Sequence, residues 1–199
     1  ANDEITIRFI FSSCERKRHD SVHGKLFFLS FPQAHLHYKN CQTEMFFVVD
    51  GDAWLTDDWE FNFDPGLFDL DCAYVWQSQN PVNDLVYENG GVKLFPKAEM
   101  LRVTKWRTLD MYTGVTSKKK VQPQISCLTT FNSDEFSTWR SAFREAVKLY
   151  ITNKMSYLEA WMTKGTDRPF GKFATEGATE GYQFAKKYSH RPNTLAKIN

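Results

Sequence analysis

The feature of this 199-residue chain that most restricts its fold is an apolar run that ends in two carboxylates. Met45–Val49 reads MFFVV and leads directly into Asp50-Gly51-Asp52. An uninterrupted apolar run of this length is typical of a strand that is covered on both faces. Open α/β sheets bind ligands beyond the carboxyl ends of their strands, so the sequence predicts that Asp50 and Asp52 lie at a ligand site.

Two interpretations of this acidic turn remain open at the level of sequence. Gly51 allows a backbone turn that aims both carboxylates at one point, and Mn²⁺ or Mg²⁺ binds such oxygens together with substrate phosphates. Asp-Gly between apolar runs is also a strong signal for a type I′ β-hairpin that holds no metal, and a plain surface turn without a metal is compatible with it as well. The buried character of the preceding strand favours the metal site. The acids that follow are expected to form mainly a solvated face; they are Asp57, Asp58, Glu60 and Asp64.

The remaining elements predict a fold of strands first and helices later. The predicted strands are 5–11, 26–31, 45–49, 73–77, 92–95 and 125–131, and the predicted helices begin after Ser133 and cover 157–162 and 179–188. The first helix has a proposed cap at Ser133 and an apolar stripe of Phe136, Trp139, Phe143, Val147 and Ile151. We therefore expect an α/β sandwich with a largely parallel central sheet flanked by helices, although the links before Met45 are short for parallel crossovers.

Length and composition bound the class of protein. The chain is long enough for one globular domain, 1–199, with a substantial core. No apolar run reaches the roughly 18 residues of a membrane helix, and Ala1–Glu4 is unlike a signal peptide, so we expect a cytoplasmic protein without a membrane partner. The four separated cysteines, Cys14, Cys41, Cys72 and Cys127, are expected to be free thiols.

The net charge of +1 conceals a strong asymmetry along the chain. Residues 51–100 contain two basic and ten acidic residues, whereas residues 101–199 contain seventeen basic and eight acidic ones. Basic side chains next to aromatic ones could contact the phosphates of DNA, or could simply form solvated faces. The candidate nucleic-acid residues are Lys105, Arg107, Lys118, Lys119, Lys120, Arg140 and Arg144, the last two lying on one stripe of the predicted helix with Lys148.

Four blocks of the sequence carry a family resemblance over about residues 44–188. They are MFFVVDGDAWL, WQSQNPVNDLVYENGGVKLFPK, TTFNSDEFSTWRSAFREAVKL and GTDRPFGKFATEGATEGYQFAKK. The strand followed by Asp-x-Asp resembles the signature of GT-A glycosyltransferases, which use nucleotide-sugar donors. The four blocks together resemble the glycosyltransferases of tailed phages that modify hydroxymethylated pyrimidines in DNA.

The resemblance implies roles for particular residues. Asp50 and Asp52 would bind the metal and the donor diphosphate, and Asn80, Gly90, Gly91 and Lys93 would lie beneath the acceptor and the donor sugar. It implies a nucleotide-sugar and metal half, 1–77, and an acceptor-binding and helical half, 78–199. The turn-rich stretch that contains Asn80 and the glycines is also compatible with a plain β-meander turn.

Two further predictions rest on residue chemistry. If the reaction inverts configuration, Asp84 or Glu88 is the candidate base for the acceptor hydroxyl, whereas a retaining reaction requires no such base. Arg168 and Lys172 could clamp the donor phosphates, although ordinary loop packing by Phe170 and Phe173 also explains this block.

The sequence thus predicts a glycosyltransferase that requires Mn²⁺ or Mg²⁺, uses a nucleotide-sugar donor and modifies a hydroxymethylated pyrimidine in DNA within an infected bacterium. Two alternatives remain. One is a non-catalytic nucleic-acid-binding module, and the other is a glycosyltransferase that acts on a protein or a glycan.

Overall fold

The computed structural model describes residues 6–7, 10–11, 27–28, 43–50, 53–88, 90–102 and 115–188. The chain forms two compact units. The sheet unit comprises Ala1–Gln79 and Val86–Thr129, and the helical unit comprises Asn80–Leu85 and Thr130–Asn199. These units have different boundaries from the halves 1–77 and 78–199, whose functional roles stay predictions.

The sheet unit contains the described strands, one described 3₁₀ helix and one described α-helix. The strands are β1 (Thr6–Ile7), β2 (Ile10–Phe11), β3 (Phe27–Phe28), β4 (Met45–Val49), β5 (Ala53–Leu55), β6 (Ala73–Gln79), β7 (Val86–Tyr87), β8 (Val92–Pro96) and β9 (Lys119–Thr129). A short 3₁₀ helix covers Leu67–Asp69, and α1 covers Lys97–Arg102. Each described strand except β5 and β7 falls at least partly within a predicted strand, and α1 was not predicted.

The main sheet is mixed, which confirms an α/β fold but makes the expectation of a largely parallel sheet wrong. Its order is β1-β4-β8-β6-β9-β5, with β7 also paired to β6. Among the described strands of this sheet, only the β1–β4 and β6–β9 pairs are parallel. The other pairings are antiparallel. The link 80–85 is too short for a parallel crossover, so β7 pairs antiparallel with β6, and β8 also pairs antiparallel with β6.

The sheet has a separate core cluster on each face. One cluster joins residues such as Phe46, Val48 and Val75 to Met100 of α1. The other joins Phe47, Tyr74 and Trp76 to the segment after β5, whose Trp59, Phe61 and Phe63 point inward at alternate positions. The intervening side chains face solvent, and the exposure of Asp57, Asp58, Glu60 and Asp64 confirms the predicted solvated acidic face. β4 is therefore buried on both faces, as its sequence predicts.

The helical unit contains α2 (Glu135–Ile151), α3 (Met155–Thr163) and α4 (Gly171–Tyr188). All three predicted helices are confirmed, but the details of α2 differ from the prediction. Its cap is Asp134 instead of Ser133. Its buried face consists mainly of small residues such as Thr138, Ala142 and Ala146, whereas Phe136 and Ile151 of the predicted apolar stripe are exposed. The small side chains allow α4 to approach closely.

Candidate functional site

Asp50 begins a tight turn at the carboxyl end of β4. Its backbone N–H donates to the Gly91 carbonyl at 2.8 Å, and its own carbonyl accepts from the Ala53 N–H at 3.1 Å. The chain then enters β5, which pairs with β9, while β4 pairs with β1 and β8. The alternative of a β-hairpin joining 45–49 to the segment after the turn is therefore wrong. Gly51 and Asp52 lie outside the described residues.

The carboxylate of Asp50 forms an ion pair with Lys93 of β8. The Nζ atom of Lys93 lies 2.7 Å from Oδ2 of Asp50. The lysine side chain is only 7% exposed, whereas the aspartate side chain is 42% exposed. Lys93 pairs in register with Val48 of β4 and Val75 of β6, so its stem lies within the central part of the sheet. Two residues that were predicted separately, for the donor and for the acceptor, are thus in direct contact.

One feature of Asp50 favours the binding of a divalent cation, and another disfavours it. Its carboxylate is the hard oxygen ligand that Mn²⁺ and Mg²⁺ prefer, and it is accessible from solvent. However, one of its oxygens already accepts from an ammonium group. Within the described ranges, no three His, Cys, Asp or Glu side chains cluster closely enough to hold a metal ion. Asp50 is the one predicted metal ligand among the described residues, and its carboxylate is already bonded to Lys93.

Gly90 and Gly91 lie where the chain packs tightly against itself. A Cβ atom at Gly90 would lie 2.0 Å from the carbonyl oxygen of Trp76, which accepts a hydrogen bond from the Gly90 N–H. A Cβ atom at Gly91 would lie 2.4 Å from that of Ala53. The double glycine therefore has a structural explanation within the sheet unit. Behind it lies Cys127, which like Cys72 is a buried free cysteine, as predicted, and burial raises the pKa of its thiol. Cys14 and Cys41 lie outside the described residues.

Asn80 organises the loop 80–85 in the helical unit. Its Oδ1 atom accepts from the Val82 N–H at 2.8 Å, its N–H donates to Leu85, and its carbonyl accepts from Asp84. Asn80 and Asn83 are both buried. Within the described part of the chain, Nδ2 of Asn83 is buried without a hydrogen-bond partner. The hydrogen bonds of Asn80 thus hold the conformation of the loop that contains Asp84.

Asp84 and Arg168, which were predicted from different blocks, lie together in the helical unit. Arg168 donates from an Nη atom to Oδ2 of Asp84 at 3.0 Å, and both side chains are exposed. Asp84 has a φ angle of 57°, an uncommon conformation for a residue other than glycine. Lys172 lies 3.9 Å from Glu176 on α4, and Glu88 is exposed in the sheet unit. The structure therefore brings Asp84 next to Arg168 within the helical unit.

Acidic residues compensate part of the predicted basic surface. Lys118 pairs with Asp71, and Lys120 lies 2.6 Å from Asp69. The hydrogen bonds to these partners raise the pKa of both lysines, and the bond from Lys118 lowers the pKa of Asp71. These lysines lie at the beginning of β9, which runs in the same direction as β4, and so at the opposite end of these strands from Asp50.

The other predicted nucleic-acid residues have different surroundings. Arg140 is exposed and Arg144 is half-buried, both on α2, and Lys119 is half-buried in β9. Lys105 and Arg107 lie outside the described residues. The acidic partners Asp69 and Asp71 were not predicted; their proximity depends on the β6–β9 pairing, which the sequence does not reveal.

Sequence reasoning also missed the contact between Lys93 and Asp50, although a signal for it exists. Lys93 interrupts the apolar strand 92–96, and a charged side chain in a buried strand requires a partner of opposite charge. The identity of that partner depends on the register of β4 against β8.

Comparison with known proteins identifies no relative of this chain. No protein-family model matches it, and no curated protein or solved structure matches it significantly. None of the described helices combines the length and the apolar character needed to cross a membrane.

Proposed function

We propose that this chain is a metal-dependent glycosyltransferase of the GT-A type. It transfers a sugar from a nucleotide-sugar donor to a hydroxyl group, and the acceptor is a hydroxymethylated pyrimidine in phage DNA. The observation that carries the proposal is the position of Asp50, a half-exposed carboxylate held by a turn at the carboxyl end of a fully buried strand. β4 runs in the same direction as β1, β6 and β9, so the carboxyl ends of these strands point towards one edge of the mixed sheet, as they do at the ligand sites of parallel α/β sheets.

The transfer breaks the bond between the anomeric carbon of the sugar and the diphosphate oxygen. The electron pair leaves with the nucleoside diphosphate, and the acceptor hydroxyl oxygen forms the new bond to the anomeric carbon. Asp50 and Asp52 would hold Mn²⁺ or Mg²⁺, which when bound supplies Lewis-acid stabilisation of the leaving diphosphate. The chain itself binds and orients the donor and the acceptor.

The proton of the acceptor hydroxyl requires a base if configuration is inverted. Asp84 and Glu88 remain the candidates. Arg168 bonds to one oxygen of Asp84, which restricts the orientation of the carboxylate and leaves its other oxygen to accept a proton. Arg168 would then position this base through one Nη atom, and its other N–H donors would be left for the predicted contact with the donor phosphates.

The first prediction is that Mn²⁺ together with the correct nucleoside diphosphate raises the melting temperature. A ligand at about 100 times its Kd stabilises a folded protein by about 2.7 kcal/mol, which corresponds to several degrees. The measurement is a thermal-shift screen of nucleoside diphosphates with and without Mn²⁺. Asp52→Asn should abolish this shift and metal-dependent turnover without changing the melting temperature of the free protein. The exposed Asp58→Asn is the matched control and should behave like the wild type.

The same screen separates the alternatives. The absence of a shift with every nucleotide, combined with DNA binding that weakens with salt, would favour a non-catalytic nucleic-acid-binding module. A nucleotide-dependent shift without salt-sensitive DNA binding would favour a glycosyltransferase that acts on a protein or a glycan. Turnover that survives Asp52→Asn would contradict the metal role.

A further inference from the structure

Lys93 is a buried cation in direct contact with a solvent-accessible carboxylate. It lies on β8, the strand between β4 and β6, and its side chain is 7% exposed. A buried ammonium group is stable only next to a counter-charge, and Oδ2 of Asp50 at 2.7 Å provides it. The pair therefore has a fixed inner member, Lys93, and an outer member, Asp50, that also faces solvent.

A divalent cation that approached Asp50 from solvent would meet the charge of Lys93. The carboxylate has lone pairs left on Oδ1, so it can accept a second cation. That cation would lie only a few ångströms from the ammonium group, because metal–oxygen bonds in such sites are about 2.1 Å long. Two cations sharing one carboxylate repel each other, and the single negative charge of Asp50 does not neutralise both.

A diphosphate would reverse the sign of this interaction. Its charged oxygens add negative charge next to both cations, so that Lys93 then attracts the bound ligand instead of opposing it. We infer that Lys93 makes the Asp50 site selective for a divalent cation complexed with a diphosphate, and that it disfavours the free cation. This inference rests on the proposed function for the nature of the ligand, and it assigns Lys93 to the control of Asp50 and not to acceptor binding.

The inference predicts a measurable coupling between two ligands. If Lys93 opposes the free cation, pyrophosphate must increase the affinity for Mn²⁺, and Mn²⁺ must increase the affinity for pyrophosphate by the same factor. We expect this factor to be at least about tenfold in the wild-type protein, which lies towards the lower end of the usual range of coupling between sites.

The experiment compares Lys93→Met with Lys93→Arg in the full chain. Methionine retains the apolar stem in the buried strand and removes the charge, whereas arginine retains the charge. Isothermal titration calorimetry measures the affinity for Mn²⁺ alone, for pyrophosphate alone, and for Mn²⁺ at saturating pyrophosphate. Lys93→Met should bind free Mn²⁺ about tenfold more tightly than the wild type and should lose most of the coupling, and Lys93→Arg should retain it.

The possible failures are distinguishable. Equal affinity for free Mn²⁺ and equal coupling in the wild type and in a folded Lys93→Met would overturn the inference and leave the metal site intact. If Lys93→Met does not fold, either of two other results would overturn the inference. One is the loss of coupling between Mn²⁺ and pyrophosphate in a folded Lys93→Arg, and the other is the absence of this coupling in the wild type. If the wild type does not bind Mn²⁺ even with pyrophosphate, the proposed metal-dependent function fails.

Discussion

Two carboxylates of this protein, those of Asp134 and Asp50, differ in the groups that donate hydrogen bonds to them. In the helical unit, Oδ1 of Asp134 accepts from the Ser137 N–H at 2.7 Å, and Oδ2 accepts from the Ser137 hydroxyl at 2.6 Å. These bonds satisfy the first turn of α2 and lower the pKa of Asp134, because they favour the ionised carboxylate. At Asp50 the donor is instead the ammonium group of the buried Lys93, so this carboxylate forms an ion pair and does not cap a helix.

Replacement of the α2 cap should lower stability in a pH-dependent manner. We expect Asp134→Ala to lower the urea midpoint at pH 7, while Asp134→Asn, which caps helices nearly as well, should have a smaller effect. The lowered pKa means that the contribution of the ionised carboxylate is complete above the ordinary value of 3.8 and is lost as the pH falls further. The difference in urea midpoint between the wild type and Asp134→Ala should therefore decrease towards pH 3. Unfolding is followed by circular dichroism. A difference that is constant with pH would contradict this role of the charge.

At the scale of elements, the close approach of α2 and α4 explains why α4 contains glycines. A Cβ atom at Gly177 would lie 2.2 Å from the carbonyl oxygen of Trp139, and one at Gly181 would lie 2.4 Å from that of Phe143. Glycine lowers helix propensity, but here it permits backbone contact between helices. This packing, together with Phe143 against Phe184, holds the helical unit together.

Addition of one methyl group at this contact should destabilise the protein. Gly177→Ala gains up to about 1 kcal/mol of helix propensity, but the methyl group would overlap the α2 backbone, and overpacking typically costs about 1–3 kcal/mol. We therefore expect a net loss of stability in urea unfolding followed by circular dichroism at 222 nm. Glu180→Ala, on the exposed side of α4, is the control and should change stability by less than about 0.5 kcal/mol. A more stable Gly177→Ala would show that the helices lie further apart.

At the scale of the whole molecule, the acidic and basic segments of the chain are not simply two opposite surfaces. Lys118 and Lys120 come from the basic segment, Asp69 and Asp71 come from the acidic one, and these residues form two ion pairs within the sheet unit. Arg140 is exposed on α2, no ion pair of its guanidinium is found among the described residues, and its contact with DNA stays a prediction. Under the proposed function, we therefore expect Arg140 of α2, more than the paired lysines, to contact DNA.

Charge substitutions can test this assignment. Arg140→Gln should lower DNA affinity and reduce the slope of log Kd against log salt by about 1, as expected for one phosphate contact. Removal of a complete ion pair, Lys118→Gln with Asp71→Asn, preserves net charge and should leave the slope unchanged. The measurement is fluorescence anisotropy with a labelled hydroxymethylated duplex over a range of salt concentrations. A lower slope in the pair variant alone would reverse the assignment.

The sequence predicted those features that depend on neighbouring residues. β4 follows from an uninterrupted apolar run, and the position of α2 follows from the spacing of its apolar residues, although Phe136 and Ile151 of that stripe are exposed. The cap of α2 was misplaced by one residue because Ser133 and Asp134 are both good caps. β5 and β7 were missed because strands of two or three residues contain too few residues to show a pattern. The relative direction of the strands was predicted wrongly because an apolar run does not specify which strand it pairs with.

The sequence by itself determined that an acidic turn follows a strand buried on both faces, and the structure agrees at Asp50. Only the tertiary structure decided that this carboxylate contacts Lys93, 43 positions away, and that Asp84 contacts Arg168, 84 positions away. The reason is physical: burial preference and helix propensity belong to local segments, whereas ion-pair partners depend on strand register and loop packing, which bring together residues that are distant in the chain.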